Sequence, residues 1–203
     1  MTTTLNIERH LEGIPLGKPF VSSQIVRLGT RAAADQALSR MAKAGRIVRV
    51  ARGVYVKPRQ SAIVGTVLPG AFAVAQAICE QEGSRLAATG AAWAYKFGLT
   101  TQLTASPTYL TDGSTRHVRI GKALLTLLHA SPKAMRLSSV PAGQAILALE
   151  WLMEPERPAA AIQKIREALS KEEFREFLRE AKLTGGWIAR AVSRSGAPGR
   201  GGR

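Results

Sequence analysis

The sequence predicts an α+β protein, with an N-terminal winged helix-turn-helix, then a mixed α/β stretch, then an α-helical C-terminal part. Three observations predict it. Residues 30–58, TRAAADQALSRMAKAGRIVRVARGVYVKP, pass from a helical pattern directly into a β-branched hairpin pattern. Two short helical stretches, separated by glycine and proline, precede them. From Pro141 onward the apolar residues keep helical spacing almost to the C-terminal Gly/Arg tail.

Within residues 30–58, Ala34, Ala37, Leu38 and Met41 fall on one helical stripe, while Ala33, Gln36, Arg40 and Lys43 fall opposite. Thr30 is the expected N-cap and Gly45 the expected left-handed stop. Ile47–Val50 and Val54–Val56 flank Ala51-Arg52-Gly53 and predict a short hairpin. Arg46, Arg49, Arg52, Lys57 and Arg59 decorate it, with no acidic residue between Lys43 and Arg59. A charged hairpin is often only a solvated edge. Here helix and hairpin occur together, and such a surface attracts phosphate.

The chain before this stretch supplies the other helices of the motif. A first helix is expected near Leu5–Leu11, with a break at Gly13, Pro15, Gly17 and Pro19. Phe20 anchors the next element, and Ser22 or Ser23 is expected to cap a short helix with Ile25, Val26 and Leu28 that ends at Gly29. Helix, helix, turn, helix and hairpin is the order of a winged helix-turn-helix, whose third helix enters the major groove. Gln36 and Arg40 are then expected to face base edges, with Ala32 and Ala33 leaving room for close approach. Ser22, Lys43, Arg49 and Arg52 are expected on phosphates, and Arg31 on either. One such module gives modest affinity, so two copies on repeated half-sites are an expectation for the complex with duplex DNA.

Beyond Arg59, RQSAIVGTVLP lacks periodicity and predicts a boundary near residues 59–69, dividing a DNA-binding domain of residues 1–60 from an effector domain of residues 69–193. Ala71–Glu82 and Ala87–Phe97 predict helices stopped by Gly83 and Gly98. Pro107–Leu110 and His117–Ile120 around Thr111-Asp112-Gly113-Ser114 predict a hairpin, with Leu124–Ala130 as a third strand. Ile146, Leu147, Leu149 and Trp151 mark a helix that starts at Pro141 and ends before Pro155. Ile162, Ile165 and Leu169 mark another, and Ser170 with Glu173 forms a capping box for a helix bearing Phe174, Phe177, Leu178 and Ala181. After Gly185-Gly186 come Trp187, Ile188, Ala191 and Val192, then a basic tail at 194–203 expected to be disordered.

Charge and composition narrow the function. Residues 1–60 hold 11 Lys and Arg against 3 Asp and Glu, residues 61–150 hold 7 against 4, and residues 151–203 hold 11 against 7. The nucleic-acid signal is therefore N-terminal, because the last segment interleaves its basic residues with glutamate, as in KEEFREFLREAK. Cys79 is the only cysteine, so an internal disulfide is impossible, and its apolar neighbours place it in a core. No apolar run approaches the ~18 residues of a membrane span, and MTTTLNIERHLEG lacks a signal-peptide layout, so a cytoplasmic protein is expected.

The chain carries little that suggests catalysis. Its only aspartates, Asp35 and Asp112, lie on the third helix and in a turn, so no carboxylate pair is set for a magnesium ion. Glu154 with Glu156 and Glu172 with Glu173 sit beside prolines or in a first helical turn, where structural roles suffice. His10, His117 and His129 are far apart and no glycine-rich phosphate loop occurs. No enzyme activity, metal or cofactor is expected.

FVSSQIVRLGTRAAADQALSRMAKAGRIVRVARGVYVKP and TGAAWAYKFGLTTQLTASPTYLTDGSTRHVRIGKALLTL are similar to the winged-helix start and the middle of AbiEi-type antitoxins of type IV toxin-antitoxin systems, in their short bacterial forms. The resemblance covers roughly residues 15–130. It implies an antitoxin that represses its own operon through the N-terminal domain, paired with a nucleotidyltransferase-like toxin or acting on that toxin's target. The alternative is a free-standing winged-helix regulator whose C-terminal domain dimerises or senses a ligand.

Overall fold

The computed structural model describes residues 3–63, 65–102, 104–153 and 157–195; Glu154 with Glu156 and residues 196–203 of the expected basic tail lie outside them, whereas Arg194 and Ser195, expected in that disordered tail, are helical. Among the described residues the chain is mixed α and β, with ten helices and several small sheets. They group into two compact units, Met1–Leu86 with Ser106–His129, and Ala87–Ala105 with Ala130–Arg203.

The first unit begins with α1 (Thr3–Glu12), β1 (Pro19–Val21), α2 (Ser22–Val26), α3 (Arg31–Lys43), β2 (Val48–Ala51) and β3 (Val54–Val56). Thr30 caps α3 as expected, its side chain accepting from Ala33 N, and Gly45 takes the left-handed conformation just beyond it. The alanine-rich stripe Ala34, Ala37, Leu38 and Met41 is buried against Ile7 and Leu11 of α1, Ile25 of α2, and Phe20 and Ile47. Small side chains on α3 allow that close packing. β1, missing from the sequence reading, pairs antiparallel with β3, which pairs antiparallel with β2. Three residues are too few to show a period, and their partner lies more than 30 residues away.

This three-stranded sheet has two apolar faces. Phe20 and Tyr55 stack, ring centroids 5.9 Å apart, on the side of the α1–α3 core. Val21, Val50, Val54 and Val56 point the other way, into a second core with Val74, Ala75 and Ile78 of α4 (Ala71–Glu82) and Leu125 and Leu127 of β9 (Ala123–His129). The expected boundary at residues 59–69 is therefore corrected. That stretch forms a second antiparallel hairpin, β4 (Arg59–Ser61) with β5 (Gly65–Val67), and the chain then returns to cover the valines. The alternation of valine with Arg49 and Tyr55 carried this information: both faces of the sheet require a partner.

The mid-region also departs from expectation. β7 (Thr108–Thr111) and β8 (Arg116–Ile120) do not form a hairpin with each other: β9 lies between them, parallel to β7 and antiparallel to β8. The tight hairpin turn is instead Gly121-Lys122, between Ile120 and Ala123, with Gly121 at φ 59°. Thr111-Asp112-Gly113-Ser114 serves as an anchored loop. Asp112 accepts from Arg85 N (2.6 Å) and Arg85 Nε (2.7 Å), and Thr111 Oγ1 accepts from Gly113 N at 3.0 Å. Cys79 is buried, as expected, with its Sγ 3.6 Å from Thr111 Oγ1.

β6 (Leu86–Ala88) spans the point where the chain passes from the first unit to the second, and in the second unit α5 (Gly90–Lys96) starts later than expected because Thr89 caps it. α6 (Pro132–Ser138), α7 (Pro141–Leu152), α8 (Pro158–Ala168), α9 (Lys171–Leu183) and α10 (Gly186–Ser195) complete it. α7 is buried almost all round, with Ala142, Gly143, Ala145, Ile146, Leu147, Ala148 and Leu149 inside. Gly90 and Gly143 let the main chain touch: a Cβ on either would fall inside contact distance of the Leu147 or Leu137 carbonyl. The expected capping box is present, Ser170 N donating to Glu173 Oε2 and Glu173 N to Ser170 Oγ. The Ser170 amide, and after it the Ser170 hydroxyl, hold the Glu173 carboxyl below its ordinary pKa.

Two outcomes follow from this packing. A fragment ending at Gln60 would bare Val21, Val54 and Val56, each worth about 1.5–3 kcal/mol when buried, against a whole-domain stability of about 5–15 kcal/mol. It is expected to lack a cooperative melting transition by circular dichroism. Separately, the Arg85 amide and guanidinium hold the Asp112 carboxyl below the ordinary aspartate pKa. The contact thus stabilises the fold above that ordinary value, and the stabilisation is lost as pH falls through the lowered one. Asp112→Asn is expected to lower the melting temperature near neutrality and to converge on the unsubstituted protein at the acid end of a pH series.

Candidate nucleic-acid interface

Between α3 and the β2–β3 hairpin the first unit leaves an open cleft of about 620 Å³. Ser22, Arg31, Arg49 and Arg52 of the expected site line it together. Gly53, with φ 73°, turns the hairpin, and its O accepts from Ser22 N at 2.7 Å, tying α2 to the hairpin tip. The positive φ favours glycine there, and a Cβ would also press on Ser22 Oγ, 3.2 Å away. Ser23 N donates to Gln81 Oε1 (3.3 Å) and Gln24 Nε2 to Glu80 Oε1 (3.1 Å), which fixes the start of α2 against the end of α4.

The helix presents Arg31, Asp35 and Ser39, each four residues from the next, to this cleft. Gln36, Arg40 and Lys43 are exposed on α3 but lie outside it. Arg40 borders a separate shallow depression with Glu8, Met41, Ala44 and Arg46, where Arg46 pairs with Glu8 at 3.3 Å. Ala32 is exposed and Ala33 half-buried. The seven expected residues thus divide between a cleft-lining set and an outward-facing set on α3.

Sequence reading missed the far wall. Tyr55, Gln81, Glu82 and Arg116 also line the cleft. Tyr55 is the cross-strand partner of both Phe20 and Arg49, so its position follows from the three-stranded register. Arg116 and Glu82 come from β8 and α4, brought there by the valine core beneath the hairpin, a contact that local spacing does not encode.

Four arginines therefore face two carboxylates. Arg31 Nε donates to Asp35 at 3.3 Å, but this i,i+4 pair is 79% and 55% exposed and gives its partners up at little cost. Arg116 pairs with Glu82, both about one-third exposed. Arg49 Nε donates to the Ala51 carbonyl at 3.4 Å, and Arg52 has no ion pair among the described residues. The cleft can hold an extended anion along its arginines. Among the described residues, no three or more His, Cys, Asp or Glu are placed to share a metal ion. No described helix is long and apolar enough to cross a membrane.

Comparison with curated proteins and with solved structures finds no match for the chain. The model of a family of unknown function, DUF6088, matches residues 6–177, and the protein belongs to that family.

Proposed function

We propose that the first unit is a winged helix-turn-helix that binds duplex DNA, with α3 in the major groove and β2–β3 as the wing on the adjoining backbone. The observation that carries this reading is the convergence of Arg31, Arg49 and Arg52 with Ser22 on one cleft beside α3. Phosphates are neutralised best by arginines presented on two sides of a groove, whose planar guanidinium groups pair with phosphate oxygens. Gln36, Arg40 and Lys43, exposed on the adjacent stripe of α3, are the candidates for base and outer phosphate contacts.

The resemblance to AbiEi-type antitoxins extends the proposal: the protein represses its own operon and antagonises a nucleotidyltransferase-like toxin, directly or through that toxin's target. The helical second unit is then the effector part. A cotranscribed neighbour that is toxic alone supports the antitoxin, and an unrelated neighbourhood supports a free-standing regulator.

Titration of the full-length protein against duplexes from upstream of its own gene tests the DNA reading. Arg52→Ala is expected to weaken all sequences alike and to make the salt dependence shallower by about one phosphate. Arg40→Ala is expected to cost about 1–3 kcal/mol on the specific site and to relax discrimination there. Unchanged affinity and salt dependence after both substitutions would remove the assignment.

A further inference from the structure

Arg116 is the cleft arginine supplied from outside α3 and the β2–β3 hairpin. Antiparallel pairing places it opposite Leu127, and its Nη1 pairs with Glu82 at the last turn of α4. That pair leaves the guanidinium half satisfied: Nε is buried with no hydrogen-bond partner among the described residues. A guanidinium has five donors in a planar fork suited to a phosphate, and a buried donor without an acceptor favours any rearrangement that supplies one. Glu82 is only one acceptor group, and both side chains retain about one-third of their exposure. An exchange of Glu82 for an entering anion therefore costs little.

We propose that Arg116 is a further phosphate-contacting residue, held by Glu82 while the cleft is empty and turned to the DNA backbone when a duplex enters. The proposal rests on the DNA-binding reading above. It makes the interface a property of both chain segments of the first unit, because β8 follows the second-unit stretch Ala87–Ala105 in the chain. Glu82 sets the affinity by occupying Arg116 until a phosphate displaces it, which weakens attraction to unrelated DNA.

The test is a binding titration of the full-length protein with a short duplex of mixed sequence over a series of salt concentrations. Arg116→Ala is expected to weaken binding about twofold to fivefold and to reduce the slope of log affinity on log salt by about 0.9. Glu82→Gln should tighten binding by a similar factor, and the double substitution should behave as Arg116→Ala alone. Arg116→Lys, which keeps the charge and the fold, should retain most of the slope. Melting temperatures establish that each variant is folded, and Arg116→Gln substitutes for the alanine variant if that one is not. An unchanged slope in folded Arg116→Ala or Arg116→Gln overturns the proposal. So does an equal tightening by Glu82→Gln with and without Arg116, since Glu82 would then act through general charge alone. If the unsubstituted protein binds no duplex, the DNA reading itself fails and this proposal falls with it; binding that responds to Arg52→Ala but not to Arg116 or Glu82 leaves the reading standing and removes only the proposal.

Discussion

The first unit depends on the three-stranded sheet β1-β3-β2 having two faces to cover. Phe20 and Tyr55 close one side over α1–α3, and Val21, Val54 and Val56 require α4 and β9 on the other. A hairpin covered on one side only would leave a row of valines in water, a loss comparable with the stability of a small domain. Covering them brings Gln81, Glu82 and Arg116 to the edge of α3. The charge pattern of the cleft is thus a consequence of core packing. The hairpin arginines can lie at its rim because the alternate positions of the same strands are buried.

Electrostatics then decides what the cleft can hold. Four arginines against two carboxylates leave a positive surface, and each carboxylate is paired with an arginine. Such partly exposed pairs contribute little to stability, so they exchange readily for a phosphate. The second unit differs in construction. Its buried α7, packed through glycine and alanine, places small residues where helices meet, and its exposed charges alternate along α9.

Much of the local structure was legible in the sequence. Thr30 and Gly45 bounded α3, its alanine stripe named the buried face, and Ser170 with Glu173 announced α9, because caps and helical periods act within a few residues. Non-local pairing was less legible. β9 between β7 and β8, β1 beside β3, and α4 beneath the hairpin are choices among partners tens of residues apart, and no turn motif selects them. Thr111-Asp112-Gly113-Ser114 has the composition of a hairpin turn, yet Asp112 is engaged by Arg85, and Gly121 makes the turn. The candidate site divided in the same way. Arg31, Arg49 and Arg52 were visible as a basic cluster, whereas Tyr55, Arg116 and Glu82 entered only through the fold.

The central claim is that the cleft between α3 and the hairpin, including its far wall on α4 and β8, is the surface that meets DNA. Amide hydrogen exchange of the full-length protein, with and without a saturating duplex, tests it most directly. The account predicts slowed exchange across residues 22–24, 31–39, 49–55, 81–82 and 116–117 together, because all of these line or adjoin one cleft. Protection confined to α6–α10, or to α1 and the far side of α3 with β8 unaffected, would contradict it.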